Sequence, residues 1–164
     1  MDPQFKASIE ALSDWVGHER IIEDEISLTS VRKIAALFDL EPATFEVGTT
    51  LPAHWFSLFF ADIVRQRDLG PDGHPAPGVI LPPIPLPRRM GAGRRVKISG
   101  KLRAGQPARR IARVESITPK LGRSGHIAVL TMRHTIESDG ECIAVDEFDA
   151  IYRGEVAPGA ATTA

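Results

Sequence analysis

The sequence predicts an α+β domain in which a long, curved antiparallel sheet wraps around a central helix. Three observations carry that expectation. Residues 70–93, GPDGHPAPGVILPPIPLPRRMGAG, are too rich in proline to join a sheet ladder, because proline lacks an N–H donor and fixes φ. This arm must therefore lie extended across a surface. The residues after it, 94–153, alternate apolar and polar side chains in runs separated by turn signals, the pattern of an antiparallel meander. Upstream, residues 31–40 carry Val31, Ile34, Ala35 and Phe38 at helical spacing, and Ala36, Leu37 and Leu40 widen that face until Arg32 and Lys33 are its main polar interruptions. A helix so nearly apolar all round belongs inside a fold.

Taken in order, residues 1–14 have the helical pattern Phe5, Ile9, Leu12 and predict a short helix. Residues 15–26, with Ile21, Ile22 and Ile26, read as a strand or loop-strand. Ser27, Thr29 and Ser30 offer N-caps for the central helix over residues 29–40, although no Glu or Gln completes a capping box. Pro42 stops that helix and residues 41–50 are turn-like. Trp55, Leu58, Phe59 and Ile63 predict a second helix over residues 54–66. After the arm, Val96 and Ile98 mark a strand over residues 94–102, and Ala104-Gly105 turns it. Ile111, Val114 and Ile117 change parity once within residues 107–119, which predicts a bulge or a strand covered on both sides. Residues 121–125 reverse the chain. Residues 126–137 then place Ala128, Leu130, Met132 and Ile136 on one face. Ser138-Asp139-Gly140-Glu141 is a two-residue hairpin signal. Residues 142–152 return with Cys142, Ala144, Phe148 and Tyr152 on one side, so Cys142 reads as a small core residue. Residues 1–153 form one domain and 154–164 a disordered tail. Three strands exceed ten residues, against a usual length of about 5–6, and a right-twisted sheet of that length curls. A curled sheet around one apolar helix is the hot-dog fold.

Composition narrows the function classes. The chain has 164 residues, ample for one well-cored domain. Its N-terminus lacks the apolar region of a signal peptide, and its longest apolar run, residues 55–64, contains Asp62 and is far short of the ~20 residues a membrane helix needs. Cys142 is the only cysteine, so neither a disulfide framework nor a thiolate metal cluster is expected, and the cytoplasm is the expected compartment. Charge is segregated: from Gly73 to Val114 there is no carboxylate, while Arg88, Arg89, Arg94, Arg95, Lys97, Lys101, Arg103, Arg109, Arg110 and Arg113 all fall there. Acids gather within residues 19–25 and 137–149. Such a stripe either attracts a polyanion or is neutralised by acidic strands paired against it. Nucleic acid is the poorer candidate, since no aromatic cluster accompanies the cations and the whole chain is not basic.

Particular residues then become recognisable. Leu51-Pro52 with Trp55, Leu69 through Pro75, Leu81-Pro82-Pro83-Ile84-Pro85-Leu86-Pro87-Arg88-Arg89-Met90, Gly122-Arg123-Ser124-Gly125 and Ile151-Tyr152-Arg153 together resemble the N-terminal half of two-domain MaoC-type acyl-CoA hydratases. That domain is also described as fatty-acid-synthase-type dehydratase-like, and the resemblance covers most of residues 10–153. It implies addition of water to, or its loss from, a carbon–carbon double bond conjugated to a coenzyme A thioester, on an enoyl or unsaturated dicarboxyl acyl group. The thioester is the substrate and no cofactor or metal is implied. In the family's catalytic half, backbone N–H groups at the helix N-terminus polarise the thioester carbonyl, while an Asp and a His in an Asp-x-Asn-Pro-x-His pattern position water and move the proton.

Laid on this chain, that pattern falls on Asp39-Leu40-Glu41-Pro42-Ala43-Thr44: Asp39 and Pro42 are retained, Glu41 replaces the Asn and Thr44 the His. A threonine cannot serve unaided as a general base. The departure implies a domain that does not carry the chemistry alone and works as a homodimer or as a heterodimer with a catalytic MaoC-like subunit. Asp39 and His54 are the catalytic candidates, each also readable as a structural turn residue. Arg88, Arg89, Lys120, Arg123 and Ser124 are the candidate contacts for coenzyme A phosphates, with solvated surface arginines as the plain alternative. His126 and His134 read as core or edge-face histidines and His74 as solvated. The expected function is a subunit of a hydro-lyase; the alternatives are a homodimer that binds acyl-CoA without turnover, and a thioesterase.

Overall fold

The computed structural model describes residues 1–122 and 125–155; Arg123, Ser124 and most of the expected tail lie outside them. Helix α1 (Pro3–Glu10) is capped by Asp2, whose carboxylate accepts from Gln4 N, and has Pro3 in its first turn. Strand β1 (Glu19–Asp24) leads to α2 (Leu28–Leu37), where the Ser27 hydroxyl accepts from Ser30 N. After the proline arm come β2 (Arg88–Ile98), β3 (Ala108–Gly122), β4 (Gly125–Ser138) and β5 (Glu141–Arg153). They form one antiparallel sheet in the order β1-β3-β4-β5-β2, with β2 returning to the far edge. This long-stranded sheet with few helices is the hot-dog architecture.

The parity change in β3 is a bulge at Glu115, where the register with β4 shifts between Val114 and Ser116. Asp139 (φ 50°) and Gly140 (φ 79°) make the two-residue reversal between β4 and β5. β3 runs on through Pro119 to Gly122, beyond its expected end. β1 pairs only with residues 108–113, so Pro119 sits where β3 is an edge and a missing donor costs little.

Four sequence expectations are corrected. The second helix over residues 54–66 does not form: Ala53–Leu58 and Gln66–Asp68 are 3-10 turns, and Phe60 adopts φ 64° between them. Trp55, Phe56, Phe59 and Phe60 are all buried, whereas Leu58 and Ile63 of the expected helix face are exposed. The arm ends earlier, because Arg88 through Gly93 already belong to β2, with a bulge between Gly91 and Gly93 that disguises the strand. Cys142 is exposed: a register shift between Ile136 and Glu137 makes Ile143 the inserted residue and turns it into the core instead. Finally, α2 is buried on one face only. Val31 and Ala35 are fully buried, whereas Leu37 is 80% exposed and Phe38 48%, because α2 packs on one end of the sheet and the chain turns at Asp39 (φ 57°).

The inner face of the sheet carries two cores. One joins α2 and the aromatic segment to Leu102, Ala108, Ile136, Ile143 and Ala144. The other seats Ile9 of α1 and Ile84 of the arm on Val114, Leu130, Met132, Ala150 and Tyr152, with Leu81 and Leu86 packed beside them. The arm thus lies extended over the sheet, as its prolines require. The outer face answers the charge question. Arg95 meets Glu147 and Asp149, Arg133 meets Glu147, Arg109 meets Glu137, and Arg113 meets Glu19, so acidic strands neutralise much of the basic stripe. Among the described residues no helix is long and apolar enough to cross a membrane.

Candidate functional site

Antiparallel register decides which side chains share the inner face. His134 lies opposite Asp146, Ala112 opposite His134, and Arg20 opposite Ala112, so one transverse row crosses four strands. Its polar members interrupt the apolar face between the two cores. Asp146 is 3% exposed and accepts two hydrogen bonds from Arg94, from Nε at 2.8 Å and Nη2 at 2.6 Å. That bidentate bond holds the Arg94 guanidinium above its ordinary value. Arg110, next to this row on β3, donates through Nη2 to Asp62 Oδ1 at 3.1 Å, and Arg20 donates to the same oxygen. Burial pushes the Arg110 guanidinium down, against the pull of Asp62, and its Nε is buried without an acceptor.

His134 packs edge-on against Phe148, with ring centroids 5.3 Å apart. Burial, reinforced by the Arg110 charge, lowers its pKa to about 4, so it is a neutral imidazole at pH 7. The belt therefore contains a neutral histidine, one closed Arg–Asp pair, and two arginines sharing one carboxylate.

Three adjoining clefts run along this face. One of about 550 Å³ is bounded by Phe56, Phe59, Gly91, Arg94, Arg110 and His134. The next, about 470 Å³, shares Gly91, Arg110 and His134 with it and reaches Arg89 under the arm. The third, about 920 Å³, lies beneath the prolines between His74, Arg88, Arg89 and Tyr152. The trough exists because β2 offers Gly91-Ala92-Gly93 where other strands carry bulk; a Cβ on Gly91 would meet nothing within 4 Å.

The expected phosphate contacts partly converge. Arg88 pairs with Arg153, Arg153 with Ile127, and Ile127 with Lys120, so three cations occupy one row at one end of the sheet. Arg89, one position on, borders the trough, and Arg123 and Ser124 fall in the reversal outside the described residues. Asp39 and His54 do not join the belt: both are exposed, Asp39 just past the end of α2 and His54 in the turn before Trp55. The Thr44 hydroxyl donates to Glu41 O at 2.8 Å. His126 accepts from Asp2 N and stacks on Phe5, a structural role. Sequence reasoning reaches Arg94 and Arg110 only as members of the basic stripe and misses Arg20, Asp62 and Asp146, although a carboxylate at 146 inside an apolar alternation is a visible signal. Among the described residues no group of three or more His, Cys, Asp or Glu is placed to hold a metal ion.

The family model described as hydroxyacyl-thioester dehydratase type 2 matches residues 53–163. Mesaconyl-C(4)-CoA hydratase of Chloroflexus aurantiacus is 40% identical over 151 residues, which is 91% of this chain and 53% of that protein. The chain thus spans about half the length of the curated relative it matches. Among solved structures, one from the ChsH1-ChsH2 complex of Mycobacterium tuberculosis superposes with a TM-score of 0.64 at 12% identity, covering 94% of this chain and 99% of that one. The MaoC-like dehydratase from Rhodospirillum rubrum gives a TM-score of 0.53 at 16% identity, over 86% and 94% of the two chains. At these identities the structures speak for the fold.

Proposed function

Because the chain belongs to the hydroxyacyl-thioester dehydratase type 2 family, we propose that it is the substrate-binding component of an acyl-CoA hydro-lyase. Its substrate is an enoyl or unsaturated dicarboxyl thioester of coenzyme A, and a second hot-dog chain with an intact Asp/His pair supplies the acid–base chemistry. The observation that carries this reading is the trough. It joins a cationic end at Arg88 and Arg89 to an apolar, charge-lined end at Phe56, Phe59 and Arg110. Along β2, Arg88 and Arg94 are separated by ~20 Å at ~3.3 Å per residue, the scale of an extended pantetheine arm. The phosphates of coenzyme A suit the guanidinium end, and the arm's prolines roof the middle.

Hydration needs a base to take a proton from water as its oxygen bonds the β-carbon. The π electrons then move to the thioester oxygen, and an acid returns a proton to the α-carbon. This chain has Thr44 where the family pattern has His, with its hydroxyl already donated to Glu41 O. His134, neutral and packed on Phe148, has no carboxylate within hydrogen-bonding distance to orient it as a base among the described residues. The thioester is the substrate and the reading requires no resident cofactor.

The test is hydration of mesaconyl-C4-CoA, followed by loss of the conjugated enoyl absorbance. The purified chain alone is expected to show no turnover but to bind coenzyme A thioesters, and to gain turnover when a hot-dog chain with the full Asp-x-Asn-Pro-x-His pattern is added. Full activity of the lone chain would overturn the division of labour. Binding with no activity beside any such partner would leave a thioester-binding module, and release of free thiol would identify a thioesterase.

A further inference from the structure

Arg110 has an unfinished set of partners. Asp62 is shared between Arg110 and Arg20 through one oxygen, so the pair of guanidiniums carries a charge that one carboxylate does not cancel. Asp146 cannot relieve this, since both its oxygens accept from Arg94, and His134 is uncharged. The Arg110 side chain is only 16% exposed, and its buried Nε has no acceptor. A buried donor without a partner is unfavourable, so its persistence on the wall of a cleft calls for an explanation. Phe56, Phe59, Ile136 and Phe148 border the same cleft, and its two carboxylates, Asp146 and Asp149, are already held by Arg94 and Arg95.

We propose that Arg110 receives a free carboxylate at the far end of the acyl group, making this chain selective for thioesters of dicarboxylic acids over those of simple fatty acids. The inference rests on the thioester-binding reading above and adds to it the specificity-determining residue. A planar carboxylate matches the cleft-facing edge of the guanidinium and balances the excess positive charge. A terminal methyl in its place leaves that charge unbalanced. A site built for a polar group rejects the apolar analogue far more strongly than an apolar pocket discriminates by size.

The experiment uses two saturated thioesters that cannot be hydrated, succinyl-CoA and butyryl-CoA, titrated calorimetrically into the full chain. The wild type is expected to bind succinyl-CoA about ten- to a hundredfold tighter, the value of one hydrogen-bonded charge pair. R110Q is expected to abolish that preference, chiefly through loss of succinyl-CoA affinity. D62N, which frees Arg110 from its shared carboxylate, is expected to raise the preference severalfold, and it decides the matter if R110Q does not fold. Equal affinities in the wild type, a preference that survives R110Q, or a preference that D62N leaves unchanged or lowers would overturn the role of Arg110 while the thioester reading stands. Binding of neither thioester would overturn both.

Discussion

Asp24 secures two residues whose backbones resist their own conformation. Ile26 (φ 47°) and Phe60 (φ 64°) both lie in the left-handed region, which is unfavourable for a β-branched and an aromatic side chain, and both are essentially buried. The Asp24 carboxylate accepts from Ile26 N at 3.1 Å through one oxygen and from Phe60 N at 3.0 Å through the other. It thereby ties the approach to α2 to the aromatic segment that walls the cleft. D24A removes both acceptors at once, and about 2–4 kcal/mol of stability should go with them, measured by urea denaturation. His134 makes a second prediction, in pH. Its folded pKa is about 4 against an ordinary value near 6.5, so between those values the unfolded chain holds a proton that the folded chain does not. Stability is therefore complete above about pH 6.5 and falls as pH drops toward 4, by on the order of 3 kcal/mol from this group. Denaturant midpoints at pH 4.5 and 7.5 should differ by less in H134Q than in the wild type, after the carboxylates' common contribution is subtracted. Equal differences would show that burial of this imidazole does not govern the acid limb.

Among the elements, turns and bulges decide which strand face points inward. Asp139-Gly140 closes β4 onto β5 with both residues at positive φ. A Cβ on Gly140 would meet nothing within 4 Å, so G140A introduces backbone strain without a clash and should cost about 1 kcal/mol by thermal or chemical denaturation. G91L tests the other end of the argument: its side chain enters the open cleft, so the fold should persist while thioester affinity falls at least tenfold in calorimetry. These elements also mark what was legible beforehand. The proline arm, the Glu115 bulge and the Asp139-Gly140 turn could be read because each depends on local chemistry: a missing donor, a broken parity, a left-handed dipeptide. The Cys142 bulge could not, since nothing local announces that Ile143 displaces it from the core. The one-sided burial of α2 was equally hidden, for Leu37 is apolar whether or not a neighbour covers it. The polar belt shows the same limit. His134, Asp146 and Arg110 are separated by up to 36 positions in sequence, and only the register of three strands makes them neighbours.

At the scale of the whole molecule, the sheet is unfinished. β2 is an edge strand exposed along all eleven of its residues, including Met90, Val96 and Ile98. An edge of that length with apolar side chains on it is a template for another strand. Charge argues about which strand that is. Arg94 and Arg95 are neutralised from within by Asp146, Glu147 and Asp149, but Arg88, Arg89 and Lys97 have no ion-pair partner among the described residues. Pairing β2 antiparallel with a second copy of itself brings these cations toward one another, and like charges across strands are destabilising. An acidic edge on a different chain would be attracted instead. The two assemblies respond to salt with opposite sign, because screening weakens repulsion and attraction alike. Self-association of the purified chain, followed by light scattering, should strengthen as ionic strength rises from about 0.01 M to 0.5 M across the shortening Debye length. A complex with the proposed catalytic partner should weaken over the same range, and M90K/V96K should disrupt both while barely moving the melting temperature. Self-association that weakens with salt would mean that copies meet through a surface other than β2, and the edge would then need a different explanation.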